Sequence, residues 1–277
     1  ASMSGEGNLR VEENLGEGYV RLRVSEAERR QAKHDIQHVE DIVIEMLRNA
    51  RDAGADKVYL ATTKEDGVRT LVFLDNGSGV PQDMQERIFD ARVTSKLESM
   101  KMDRWGVHGR GMALFSIKQN TDEARVVTSS VDLGSAFKVC VATDRLGERA
   151  DQSSWPQAVK DDDGRYVCAR GPHNIIRAAC EFALEELRCC DVYLGSPSEI
   201  AATLYAQASS RLDTSRLLFI DDECELPVID RLGLASDAED FIRICSGLGL
   251  EMSERTAHRI LSGQIKPVRG VTARLLR

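Results

Sequence analysis

At 277 residues, with 42% apolar and 30% charged side chains, the chain has the make-up of a globular protein of one large or two modest domains. Its net charge of −8 excludes attraction of nucleic acid or anionic membrane by the surface as a whole, so an anionic ligand must be captured locally. No apolar run approaches the roughly 18–20 residues a membrane helix needs, and the opening ASMSGEGNLR lacks the apolar segment of a secretion signal.

Residues 19–25 (YVRLRVS) read as a first strand, and residues 26–53 as helix with a break near His34 or Ile36. Within that helix Ile42, Ile44, Leu47 and Ala50 recur at close to helical spacing, which puts Glu45 and Asn49 on one shared face. A carboxylate there can orient an attacking water, and an amide oxygen can complete a Mg²⁺ shell made mostly of phosphates and waters. A solvated surface pair is the plainer alternative.

Residues 58–61 and 70–74 read as strands joined at 64–67, because Asp66-Gly67 between alternating apolar runs is a strong hairpin signal. The second strand runs straight into Asp75-Asn76-Gly77-Ser78-Gly79. An aspartate at a strand end can accept a hydrogen bond from an amino group such as adenine N6, and glycines let the backbone approach a flat base. Alone, that stretch is only a turn.

Residues 81–110 are rich in charge and end in glycines, as a mobile lid would. Gly106-Val107-His108-Gly109-Arg110-Gly111 then precedes the apolar run 112–117, which reads as a helix start. Such a glycine-rich opening offers free amides to phosphate. No strand is expected immediately before it, which argues against a dinucleotide fingerprint, and no Gly-Lys-Ser/Thr follows, which excludes a Walker A loop. Residues 124–129 and 136–141 alternate as strands around the turn at 132–134, with Gly134-Ser135 leading into the second. The expected class is α+β: one sheet with helices on one face.

In this order and spacing the four stretches resemble the GHKL superfamily of ATP-binding domains, named for gyrase, a heat-shock chaperone, histidine kinases and MutL. EMLRNARDAGADKVYL resembles its N box, DNGSGVP its G1 box, GVHGRGMAL its G2 box and GSAFKV its G3 box, over about residues 20–143. ARVTSKL and the Glu-x-x-x-Asn-x-x-Asp pattern resemble MutL. IFDARVTSK, GRGMALFSIK and VVTSSVDLGSAFKV resemble the histidine-kinase branch, although Ala113 stands where that branch has the last glycine of its G2 box.

The resemblance implies a two-layer α/β sandwich of the Bergerat type over residues 17–145, binding ATP and Mg²⁺. It implies Glu45 as general base, Asn49 as Mg²⁺ ligand, and Asp52 as the last member of the N-box pattern. Asp75 would read adenine, with Gly77 and Gly79 shaping the base pocket and a Ser135 hydroxyl supporting it. Gly106, Gly109 and Gly111 would form the phosphate loop, with Met112 behind them. Lys96, His108 and Arg110 would face phosphate, solvent exposure being the alternative for each.

Residues 146–164 are polar and read as a linker. Residues 165–236 read as a smaller α/β unit, transducer-like by position only: a strand at 166–169, a helix at 174–190, a strand at 191–194, a helix opened by Ser196-Pro197, and a strand at 217–220. Residues 237–277 read as helical, with MSERTAHRILSGQIKP similar to the recognition half of a helix-turn-helix. From Glu251 onward six bases stand against two acids, the local footprint a DNA partner would need over 251–277; a helical hairpin with a solvated basic face is the alternative.

The seven cysteines, an odd number without a Cys-x-x-Cys, argue for reduced thiols and a cytoplasmic location. His34 and His38 read as polar helix positions, which leaves the chain without a phosphoacceptor histidine of its own. Three functions follow: slow ATP hydrolysis with lid closure as a switch and a homodimer forming on ATP; phosphotransfer to a partner in trans; or ATP-regulated DNA binding. Glu45 favours hydrolysis, because many histidine kinases carry Asn at that point.

Overall fold

A computed structural model describes residues 11–95, 101–104, 106–108, 111–212, 220 and 222–277. Strands β1 (Val11–Gly16) and β2 (Tyr19–Leu22) pair antiparallel, and β2 also pairs with the short β5 (Val93–Thr94). Helix α1 (Glu26–Asp35) starts at Ser25, whose hydroxyl accepts the Glu28 amide while the Glu28 carboxylate accepts the Ser25 amide, a reciprocal cap. The chain breaks at 36–38, as expected, and α2 (Val39–Asp52) begins where Asp41 Oδ2 accepts the Gln37 and His38 amides. His34 lies exposed in the last turn of α1, and His38 precedes α2.

The central sheet has five strands in the order β12-β3-β4-β9-β8. Strands β3 (Lys57–Glu65) and β4 (Val68–Asp75) form the expected hairpin, with Asp66 and Gly67 at φ 48° and 79°, the two positive values that a tight hairpin turn of this hand requires. Strands β8 (Glu123–Ser129) and β9 (Ser135–Ala142) extend it antiparallel from β4. At the other edge β12 (Asp191–Gly195) runs parallel to β3, Val192 opposite Val58.

Side chains alternate across this sheet. Val58, Leu60, Leu71, Phe73, Val139 and Val141 share a core with α2 and with α4 (Ile175–Glu185), and α3 (Ala113–Asn120) adds Ile117 to it. Tyr59, Ala61, Val72, Leu74 and Ala136 face the opposite way. They pack on α5 (Pro197–Arg211), the 3-10 segment Val228–Leu234, α6 (Ala238–Gly247) and α7 (Glu254–Leu261). Burial on both faces accounts for the unbroken apolar run Leu71-Val72-Phe73-Leu74 in β4. The sheet with helices on one face is as the sequence implies, and a further helical layer covers its other face.

Two expectations for the second half change. The segment expected as a separate α/β unit supplies β12 to this sheet and α4 to its first core, because a parallel partner needs a long crossover and carries no local signal of its address. The stretch read as a linker contains β10 (Gln157–Lys160), which pairs with β11 (Tyr166–Arg170) across the turn at 161–164. The strand expected at 217–220 lies almost entirely outside the described residues. Helix α5 starts as expected at Ser196, with Glu199 completing its cap, and the short α8 (Val271–Leu275) sets Val271 in the first core. Among the described residues no helix is long and apolar enough to cross a membrane.

Candidate nucleotide-binding site

A cleft of about 480 Å³ opens between α2, the end of β4, the start of β9 and the first turn of α3. That size suits a small-molecule ligand. Its lining gathers Glu45, Asn49 and Asp52 from α2, Asp75 and Gly79 after β4, Gly111 and Met112 before α3, and Ser135 from β9.

On α2, Glu45 Oε1 accepts from Arg48 Nη1 at 2.9 Å; the Arg48 side chain is 2% exposed, so the carboxylate leans on a fixed cation. Asp52 Oδ1 accepts from Arg51 Nε at 2.9 Å, and Arg51 Nη1 reaches Glu186 Oε1 at 3.1 Å, which ties this end of α2 to the end of α4. Asn49 Nδ2 is buried and has no hydrogen-bond partner among the described residues. A buried amide in that state is costly unless a ligand or water completes it.

Asp75 is the last residue of β4 and is 4% exposed. Its Oδ1 accepts the Gly77 amide at 2.8 Å, which fixes the carboxylate inside its own turn. A Cβ on Gly77 would lie 2.9 Å from both Cβ and O of Ala53, so the turn passes directly over the end of α2, where the Ser78 amide donates to Ala53 O at 2.8 Å. Gly79 is at φ 69°, and a Cβ there would fall 1.9 Å from Ser130 O. Ser135 faces Asp75 across the β4–β9 ladder, and its hydroxyl lies 2.8 Å from that of Ser129, which also accepts the Val80 amide at 2.7 Å. Asn76 is directed away from the cleft: its Oδ1 accepts the Asp56 and Lys57 amides, and its Nδ2 donates to Asp56 at 2.7 Å, holding that carboxyl below its usual range.

Before the glycine-rich stretch, β6 (Lys101–Asp103) pairs with β7 (Gly106–His108), so a short strand does lead into it, contrary to expectation. Two strands of three residues each are too short to show a period in sequence. Gly106 and His108 lie in β7. Lys96, Gly109 and Arg110 lie outside the described residues. Gly111, at φ 68°, accepts the Arg92 amide on its carbonyl at 2.8 Å, and Met112, Ala113 and Leu114 carry the cleft lining into the first turn of α3.

Residues 36–143 match the family described as histidine kinase-, DNA gyrase B-, and HSP90-like ATPase. The chain carries a GHKL-type ATP-binding domain. The DNA mismatch repair protein MutL of Brucella abortus (strain S19) is 33% identical over 112 residues, 40% of this chain and 18% of its own length. MutL of Thermodesulfovibrio yellowstonii is 32% identical over 100 residues, 35% and 18% of the two chains. That of Pediococcus pentosaceus is 31% identical over 115 residues, 41% and 17%. The chain therefore spans less than a fifth of the length of these relatives.

The fold places further residues at the cleft that sequence reasoning missed. From α1 come Glu28, Gln31 and Asp35, and from β2 comes Tyr19, whose hydroxyl burial pushes toward a higher pKa against the opposing hydrogen bond to Ser95. Arg92 also lines the cleft and forms an ion pair with Glu28. Its signal was its place in the ARVTSK stretch, but nothing local shows that Glu28 reaches it. Ser116 Oγ, in α3, is a second buried polar atom of the cleft without a partner among the described residues. The residues present fit a magnesium nucleotide: a cleft of about 480 Å³ lined by the carboxylates of Glu45, Asp52 and Asp75, and two orphaned polar atoms, Asn49 Nδ2 and Ser116 Oγ.

Proposed function

We propose that the cleft binds Mg-ATP and hydrolyses it slowly. The observation that carries this reading is that Asp75, the Glu45–Asn49 face of α2 and the first turn of α3 line one cleft. Adenine would stack over Gly79 with its amine on Asp75, and the phosphates would point toward Gly111 and the amides of α3. Asn49 would hold magnesium, which supplies charge neutralisation on the phosphates. Glu45 Oε takes the proton of the attacking water, and Arg48 keeps that carboxylate aimed.

Closure of the lid and pairing of two copies on ATP belong to the same proposal. Gly111 supports the first, since its positive φ sits where the lid rejoins α3. The outer edge of β1, unpaired among the described residues, supports the second. Incubation with γ-labelled ATP tests the reading: free phosphate is expected, whereas label retained on protein would point to phosphotransfer, and neither product would remove the catalytic claim.

A further inference from the structure

We propose that the outward face of α7, with the ordered loop that follows it, binds the phosphate backbone of duplex DNA. Helix α7 is amphipathic in the required sense. Ala257 and Ile260 are buried in the second core with Phe241, Ile244, Leu248 and Leu250, so the helix is locked onto α6 and cannot turn. Arg255, His258, Arg259 and Ser262 then lie exposed on the opposite face, along a shallow open furrow that ends at Gln264.

The structure sorts the six bases counted in the sequence. Arg274 turns inward, its guanidinium 3.9 Å from the Trp155 ring centroid and donating to Leu194 O, and is removed from the set. Arg255, Arg259, Lys266 and Arg269 are exposed and make no ion pair among the described residues. Elsewhere arginines such as Arg21, Arg69, Arg177 and Arg243 hold carboxylates. Of the nearby acids, Glu251 pairs with Lys138, and Glu254 approaches His258 at 3.6 Å, an exposed contact worth little. The loop is anchored, because the Val268 amide donates to Thr203 Oγ1 at 2.9 Å, so Lys266 and Arg269 are presented at fixed places beside the helix.

Four unpaired cations on rigid backbone, in a chain of net charge −8, suit a regularly spaced polyanion. An exposed helix packed on a preceding helix suits the major groove of B-form DNA, while the groove of an A-form duplex is too narrow for side chains to read. No Phe, Tyr or Trp occurs from 251 to 277, so the large rings on which single strands stack are absent there.

The test titrates the whole chain into a short labelled DNA duplex at salt from about 50 mM upward. Four phosphate contacts predict a log–log salt slope of roughly −3 to −4. Arg255→Glu with Arg259→Glu should weaken binding at least tenfold and flatten the slope by about two. Arg255→Lys with Arg259→Lys should retain binding, and Arg170→Glu, an exposed arginine of β11, should change little. All three are surface positions, and an unchanged melting temperature confirms folding. The proposal is overturned by no binding at low salt, by equal loss from Arg170→Glu, or by equal binding of duplex RNA. It is equally overturned if polyglutamate binds with the same affinity, which would make the partner an acidic protein. None of these outcomes depends on whether ATP is bound or hydrolysed.

Discussion

Gly134 lies so close to Asp75 that a Cβ on the glycine would fall 2.0 Å from the Asp75 carbonyl oxygen. The strand that ends in the carboxylate and the turn that opens β9 therefore touch backbone to backbone. Gly134→Ala should destabilise the fold by roughly 2–4 kcal/mol, because the side chain meets main chain that cannot step aside, at φ 85°. Gly67→Ala is the control: its φ of 79° is similar but nothing lies within 4 Å, so only the conformational cost of about 1–2 kcal/mol applies. Urea denaturation of the two variants should show Gly134→Ala clearly worse, and equal losses would remove the clash from the account.

Asp75→Asn should weaken ATP binding while leaving the turn intact. The amide oxygen can still accept the Gly77 N–H, but the charged acceptor for an adenine amine is gone. A lost hydrogen bond to a charged group costs roughly 1.5–3 kcal/mol, about ten- to a hundredfold in affinity. Titration calorimetry reads this directly, and unchanged affinity would show that the base sits elsewhere.

Glu45→Ala should keep nucleotide affinity and lose turnover by roughly 10²–10⁴-fold, since a general base acts in the transition state. The substitution also releases Arg48, whose side chain is almost wholly buried, so a melting curve must accompany the rate. Phosphate release at the unaltered rate in a folded variant would reduce Glu45 to the salt bridge it makes.

What could be read ahead of the structure was local. The Asp66-Gly67 turn, the Ser196–Glu199 cap and the alternation of β9 each depend on residues within a few positions, so their sequence carries them. The shared face of Glu45 and Asn49 follows from helical spacing, and both residues line the cleft. The unread parts depend on distance. Nothing around Asp191–Gly195 names β3 as its partner, because an apolar run reads the same beside any strand. β1 was missed because Glu12, Glu13 and Asn14 are exposed on the edge strand of a small three-stranded sheet, where no apolar alternation is needed. Glu28 and Arg92 meet only after α1 folds over the cleft.

Glu148 gives a pH signature. Burial alone would raise its pKa, but hydrogen bonds from Arg69 and Lys64 outweigh this and hold it below the ordinary 4.5. The contacts are 2.8 Å to Arg69 Nε, 3.1 Å to Arg69 Nη2 and 2.7 Å to Lys64 Nζ, and they clasp the segment after β9 to the β3–β4 hairpin. A carboxyl with a lowered folded-state pKa stabilises the fold above its unfolded pKa, and that contribution is lost as pH falls through the folded value. Glu148→Gln should therefore cost roughly 1–3 kcal/mol at neutral pH. The gap to the unaltered chain should close as both are taken below about pH 4, where the native side chain is itself protonated. Urea denaturation at a series of pH values measures the gap, and a difference that stays constant into acid would mean that shape, not charge, holds this clasp.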